Sequence, residues 1–111
     1  MSIYKKNEQL KKIILDSLGD LKAKDINILS VMDISSVTDW MVIASGTSNR
    51  HIKALTSNIE INTKKNGYKV LGSEGGDIAD WVLIDFGDVV VHIMLPATRS
   101  FYDLESLWTV N

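Results

Sequence analysis

Apolar residues recur along this chain in distinct rhythms, and each rhythm predicts a different element. Leu10, Ile13, Ile14, Leu18 and Leu21 follow the spacing of an amphipathic helix, lysines fill the other face, and Gly19 falls where such a helix would end. Residues 25–31 alternate as a half-buried strand does. Residues 40–44 form an unbroken apolar run of strand length, the pattern of a strand buried on both faces. Small residues at 45–48 then break the chain, and Ser48 is placed to cap a second helix with Ile52, Leu55 and Ile59 on one stripe, closed by Asn66 and Gly67. Residues 68–71 predict a short third strand, the glycine-rich stretch 72–76 a loop, and 81–85 and 88–95 two more strands, with Pro96 ending the last. The tail, 98–108, predicts one or two short helical turns with Phe101, Leu104, Leu107 and Trp108 as the apolar side. With no internal repeat and no linker, 111 residues predict one α/β domain over 1–111.

Asp85-Phe86-Gly87 shares its letters with the magnesium-binding motif of protein kinases. The glycine-rich loop, strand lysine and catalytic loop that complete a kinase site are missing from the sequence, so the kinase reading fails. Lying between two β-rich runs, Phe86-Gly87 predicts a hairpin turn instead, glycine supplying the positive φ. Pairing Asp85 with Asp88 sets Ile84 against Val89, Leu83 against Val90, Val82 against Val91 and Trp81 against His92. One face then holds Trp81, Leu83, Val90, His92 and Met94; the other, Val82, Ile84, Val89, Val91 and Ile93, is purely aliphatic. The mixed face suits either a covering helix or a partner. For Trp81, flanked by acidic Asp80 and Asp85, contact with a partner is the favoured reading, because amphipathic aromatics concentrate at interface hot spots.

Composition narrows the function classes. A hydrophobic share of 45% with 23% charged residues and one proline is that of an ordered globular chain. The longest apolar stretch, 89–95, is interrupted by His92 and falls short of the roughly 20 residues that span a bilayer; no secretory signal opens the sequence, so the cytoplasm is expected and a membrane is not. The absence of cysteine excludes disulfides and thiol catalysis, and two histidines offer little to a zinc site, so no metal or cofactor is expected. Residues 1–70 carry 11 Lys and Arg against 7 Asp and Glu, a balance of +4, while residues 71–111 carry 1 against 7, a balance of −6. An acidic half repels phosphate backbones and attracts basic protein, which leaves direct RNA contact peripheral at most.

The strongest enzymatic reading starts from the turn 45–48, since a small-residue turn before a helix can hold phosphate on its amides, with Arg50 close by. Nucleotidyl transfer also needs carboxylates converging on magnesium. The only acid-x-acid pair is Asp103 with Glu105, in the expected tail helix, where i and i+2 do not share a face. Ser45 or Ser48 as nucleophile would need His51 as base, but Ser48 and His51 are better explained as the start of a helix. No catalytic residue is assigned.

Three stretches, residues 35–55, 74–94 and 99–108, together resemble the ribosomal silencing factor family, also called the Iojap family. The pattern is Thr38-Asp39 followed by S-G-x-S-x-R-H, then D-W-x-x-x-D-x-G-D-x-x-x-H, then R-x-x-Y-x-L-E-x-L-W, and the match with its spacing runs from about residue 8 to Trp108. Trp40 departs from it, standing where smaller or aliphatic residues are common. The resemblance implies a mixed sheet of about five strands flanked by helices, related to a nucleotidyltransferase fold without its catalytic acids, and a homodimer when free. It further implies binding to protein fourteen of the large ribosomal subunit and a block on joining of the small one when nutrients are scarce; organellar relatives assist large-subunit assembly. By motif, Asp39, Ser45, Gly46, Ser48, Arg50 and His51 belong to the strand-turn-helix element, and Trp81, Asp85, Gly87, Asp88 and His92 to the hairpin. Arg99, Tyr102, Leu104, Glu105, Leu107 and Trp108 belong to the tail. Trp81 with Asp80, Asp85, Asp88 and His92, and Arg99 with Tyr102 and Glu105, are the expected partner-binding residues. The hairpin is the stronger docking surface, while Tyr102, Leu104 and Leu107 have a core-capping alternative and Arg99 with Glu105 a plain surface ion pair.

Overall fold

The computed structural model describes residues 3–75 and 80–108. Helix α1 (Ile3–Asp20) is followed by strands β1 (Lys24–Ser30) and β2 (Trp40–Ser45), helix α2 (Asn49–Lys65), strands β3 (Gly72–Glu74), β4 (Trp81–Asp85) and β5 (Val89–Met94), and short helices α3 (Pro96–Tyr102) and α4 (Leu104–Trp108). The strands form one mixed sheet in the order β1-β2-β5-β4-β3, with β2 and β5 parallel and the other neighbours antiparallel. The continuous apolar run of β2 lies next to the sheet centre, as its pattern predicts, with Met41 to Ser45 buried.

Helices α1 and α2 cover one face. Leu10, Ile14 and Leu18 of α1 and Ile52, Leu55 and Ile59 of α2 pack on Val42, Val82, Ile84, Val89, Val91 and Ile93, all buried. Ser48 caps α2 as expected, its hydroxyl accepting the His51 amide at 3.1 Å, and Asn66 and Gly67 close it, Gly67 at φ +84°. The opposite face carries a smaller cluster of Val31, Met41, Ile43 and Met94, joined by Leu29, Trp81 and Leu104.

The structure corrects four expectations. Helix α1 runs through Gly19, and the left-handed residue that ends it is Lys22 at φ 61°; the Ala23 amide reaches the Leu18 carbonyl and the Lys22 amide the Gly19 carbonyl, both at 3.0 Å. Not every lysine of α1 is solvated: Lys11 is 6% exposed, its ammonium 3.4 Å from the centroid of the Trp40 ring and paired with Glu8 at 2.6 Å. That contact gives the unusual Trp40 a structural use. The third strand is Gly72–Glu74 rather than 68–71, so the expected loop 72–76 is strand over its first three residues; Gly76 lies outside the described residues. Residues 68–71 bring the chain from α2 to the sheet edge, and the ladder begins where the Leu71 amide meets the Asp85 carbonyl at 2.8 Å.

The hairpin register also differs. Asp85 pairs with Val90, Leu83 with His92 and Trp81 with Met94, a slip of two from the expected pairing. The two turn residues are Gly87 and Asp88, closed by the Phe86 amide on the Val89 carbonyl at 2.9 Å, with Gly87 at φ +89°. Glycine at the first central position suits a two-residue hairpin, and the move draws Phe86 into the core. Because the slip is even, both expected faces survive.

Candidate functional site

The face opposite α1 and α2 is fully closed only near its centre. Toward β4 it leaves Trp81, Leu83 and Val90 half-buried. Here the helix that starts at Pro96 brings two aromatic rings beside the sheet: Tyr102 lies 5.0 Å from Trp81, centroid to centroid, and Phe101 5.0 Å from Tyr102, edge to face at 81°. Phe101 is 81% and Tyr102 53% exposed. The apolar side expected of the tail therefore faces two ways: Leu104 packs on the sheet, while Phe101 and Leu107, 72% exposed, point outward. Leu107 is not the core cap that its spacing allowed. Leu104 is, and the side chain of Trp108 lies outside the described residues.

Beneath the rings lies His92, 5% exposed, whose Nδ1 accepts the Trp81 indole N–H at 2.9 Å. The two residues are diagonal rather than directly opposed neighbours, with ring centroids 5.7 Å apart. Burial pushes the His92 pKa from 6.5 down to about 4, so the ring is neutral at neutral pH.

The structure does not gather the expected acidic residues at the Trp81 ring. Asp80 is exposed and accepts the Asn49 amide group at 3.0 Å. Asp85 holds the turn by accepting the Gly87 amide at 2.7 Å, and the Asp88 carbonyl accepts the amides of Asp39 and Trp40 at 3.0 and 2.9 Å, tying β2 to the hairpin. Asp39 itself accepts Asn7 Nδ2 at 3.4 Å.

Arg99 and Glu105 form more than a surface pair. Arg99 Nε donates to Glu105 Oε1 at 2.8 Å, and its Nη1 donates to the Asp25 carbonyl at 2.6 Å and to Ser45 Oγ at 3.0 Å. Asn27 donates to the second Glu105 oxygen at 2.7 Å. The Arg99 hydrogen bond first, then that of Asn27, holds the Glu105 carboxyl below its usual range. The cluster fastens the tail to β1 and to the end of β2. Asn27 had no signal in the sequence, since it meets a residue 78 positions away.

The turn after β2 is spent on architecture. A Cβ on Gly46 would lie 2.7 Å from Ile52 Cγ1, so only glycine fits there. The amides of Gly46, Thr47 and His51, which a phosphate would need, already donate to the Met94 carbonyl, His51 Nδ1 and Ser48 Oγ. Since the Thr47 amide can only donate, His51 Nε2 carries the proton and donates to the Leu21 carbonyl at 2.7 Å. The imidazole thus pins the turn after α1 to α2 and is turned away from acting as a base for Ser48. Ser45 is buried against Arg99, and Arg50 is exposed. Among the described residues, no three His, Asp or Glu side chains converge as metal ligands, and no helix is long and apolar enough to cross a membrane.

The profile of a family described as "Ribosomal silencing factor during starvation" matches residues 4–111. This chain belongs to the ribosomal silencing factor family. It is 44% identical over 101 residues to the ribosomal silencing factor RsfS of Chromobacterium violaceum, covering 91% of this chain and 83% of that one. A mouse protein called mitochondrial assembly of ribosomal large subunit protein 1 is 37% identical over 104 residues, covering 89% of this chain but 45% of its own length. A crystal structure of a Chromobacterium violaceum protein, 42% identical, superposes with a TM-score of 0.89 over 97% of this chain and 87% of that one. The mixed five-stranded sheet is thus a ribosomal silencing factor fold, and the family description names a silencing factor rather than a reaction.

Proposed function

We propose that this chain docks on the large ribosomal subunit through that subunit's protein fourteen and, by occupying the site, blocks joining of the small subunit when nutrients are scarce. The observation that carries this reading is the run of rings Trp81, Tyr102 and Phe101, half-buried at Trp81 and exposed at the other two, with acidic Asp80 and Asp103 next to it in sequence. Aromatic anchors give buried area at low entropic cost, and acidic neighbours suit a basic partner such as a ribosomal protein. No chemistry is required. The free chain, on this reading, is a homodimer in the cytoplasm, needs no cofactor, and touches RNA only at its periphery. The name of the mouse relative favours a second reading, assembly of the large subunit from the same docking site.

Co-sedimentation with purified large subunits, followed by addition of small subunits, tests the proposal. The chain is expected to travel with the large subunit and to reduce the joined particles; a chain that stays off the large subunit overturns the reading. Trp81→Ala should cost on the order of 2 kcal/mol of binding, roughly 30-fold, if the indole enters a desolvated pocket. Unchanged affinity with a collapsed melting temperature would return Trp81 to the core. Deleting the gene separates the two readings: an assembly role accumulates precursor particles, whereas a silencing role leaves mature subunits that go on joining in starvation.

A further inference from the structure

The geometry points to His92 as the positioning residue for docking: its Nδ1 holds the Trp81 indole N–H and so fixes the ring that the partner meets, without His92 itself touching the partner. This rests on the open face of β4 and α3 being the docking surface.

Trp81 is the first residue of β4 and is half-buried, so the ladder fixes its backbone but not its ring. The register sets Trp81 against Met94 and His92 against Leu83, so the indole must lean along the sheet to reach His92. That lean is what brings the N–H to 2.9 Å from Nδ1 and leaves the ring 5.0 Å from Tyr102. An indole N–H only donates, so Nδ1 must be the unprotonated nitrogen. Burial keeps it so at neutral pH, and its cross-strand partners, Leu83 and Ile43, offer no competing donor side chain. An anchor already held in one orientation loses less freedom when a partner closes over it. A buried imidazole is a poorer filler than leucine among aliphatic neighbours. Its use here is the lone pair.

Four variants decide the matter: His92→Leu, which fills the site without an acceptor; His92→Asn, whose Oδ1 replaces Nδ1; Trp81→Ala; and a chain carrying benzothienylalanine at position 81, which keeps the bicyclic ring but lacks the N–H. Affinity for large subunits is measured alongside the nitrogen-proton correlation of the Trp81 indole. His92→Leu and the benzothienyl chain should each bind about tenfold more weakly. His92→Asn should bind within about threefold of the parent, and its indole proton should keep a hydrogen-bonded shift that His92→Leu loses. Were His92→Leu unable to fold, the benzothienyl chain, in which His92 is untouched, carries the comparison. If Trp81→Ala weakens binding while the chain lacking the N–H binds as the parent does, His92 does not position the ring and the proposal falls, with the docking surface intact. Equal losses in His92→Leu and His92→Asn overturn it as well. A Trp81→Ala chain that binds normally removes the docking reading itself.

Discussion

His92 lies between Leu83 and Ile43 in the sheet, and burial among such neighbours sets how it couples folding to pH. Its pKa is 6.5 when solvated and about 4 in the fold, so above pH 6.5 both states hold a neutral ring and no pH dependence arises from it. Below that value the unfolded chain takes up a proton that the folded chain refuses, and stability falls with pH until about 4. At about 1.4 kcal/mol per pH unit the loss is on the order of 3 kcal/mol. Glu105 acts at more acid pH: its lowered pKa gives stability above the ordinary carboxylate range, which is lost as pH falls through the lowered value. Urea unfolding of the parent and of His92→Asn across this range separates the two residues, because Glu105 is common to both chains. The parent should lose stability relative to His92→Asn as pH falls from 6.5 toward 4; parallel curves would mean that burial does not hold the imidazole neutral.

Helices α3 and α4 are too short to be stable alone, so the rings on α3 depend on what fastens the tail. Arg99 does this with a planar fork that reaches Glu105, the Asp25 carbonyl and Ser45 at once, a geometry that lysine cannot reproduce. Arg99→Lys should therefore cost about 1–3 kcal/mol of local stability. The expected signature is faster hydrogen exchange in α3 and α4 with the central strands unchanged, and weaker docking although Arg99 faces inward. Uniform loss of protection across the sheet would instead make Arg99 part of the global fold. In the sequence Arg99 and Glu105 were read as partner-binding residues with an ion pair as the alternative; the pair forms, but the bonds to Asp25, Ser45 and Asn27 were not legible, since they span 74, 54 and 78 positions. Elements with strong local signals were legible: α2 from the Ser48 cap and one apolar stripe, β2 from its unbroken run, and both faces of the hairpin from alternation. The hairpin register was not, because Phe86-Gly87 and Gly87-Asp88 both satisfy turn chemistry and only the burial of Phe86 separates them. Strand β3 was missed for a related reason: glycine, serine and glutamate have little β preference, and they are strand because the edge of β4 pairs with them.

Along the sequence the charge is divided, with +4 over residues 1–70 and −6 over residues 71–111, the stretch that holds the hairpin and the tail. The molecule measures 40 × 37 × 22 Å, and at physiological salt screening acts over about 8 Å, so an approaching partner feels the charges nearest its contact and little of those beyond. On the proposed reading a basic partner is steered by the acidic residues of this stretch, among them Asp80, next to Trp81 in sequence. Steering governs the rate of encounter, whereas the aromatic contacts, once desolvated, govern the rate of release. Raising the salt from about 0.05 to 0.5 M should therefore slow association with the large subunit by about tenfold or more while dissociation changes little. Asp80→Asn should lower the association rate in low salt and converge on the parent in high salt, with Trp81→Ala doing the reverse by raising the dissociation rate at every salt. Kinetics followed by surface-based binding at several ionic strengths read both rates directly. Association rates that ignore salt would assign recognition to shape and apolar contact alone, and would leave the acidic residues of 71–111 a role in repelling RNA phosphates rather than in finding the partner.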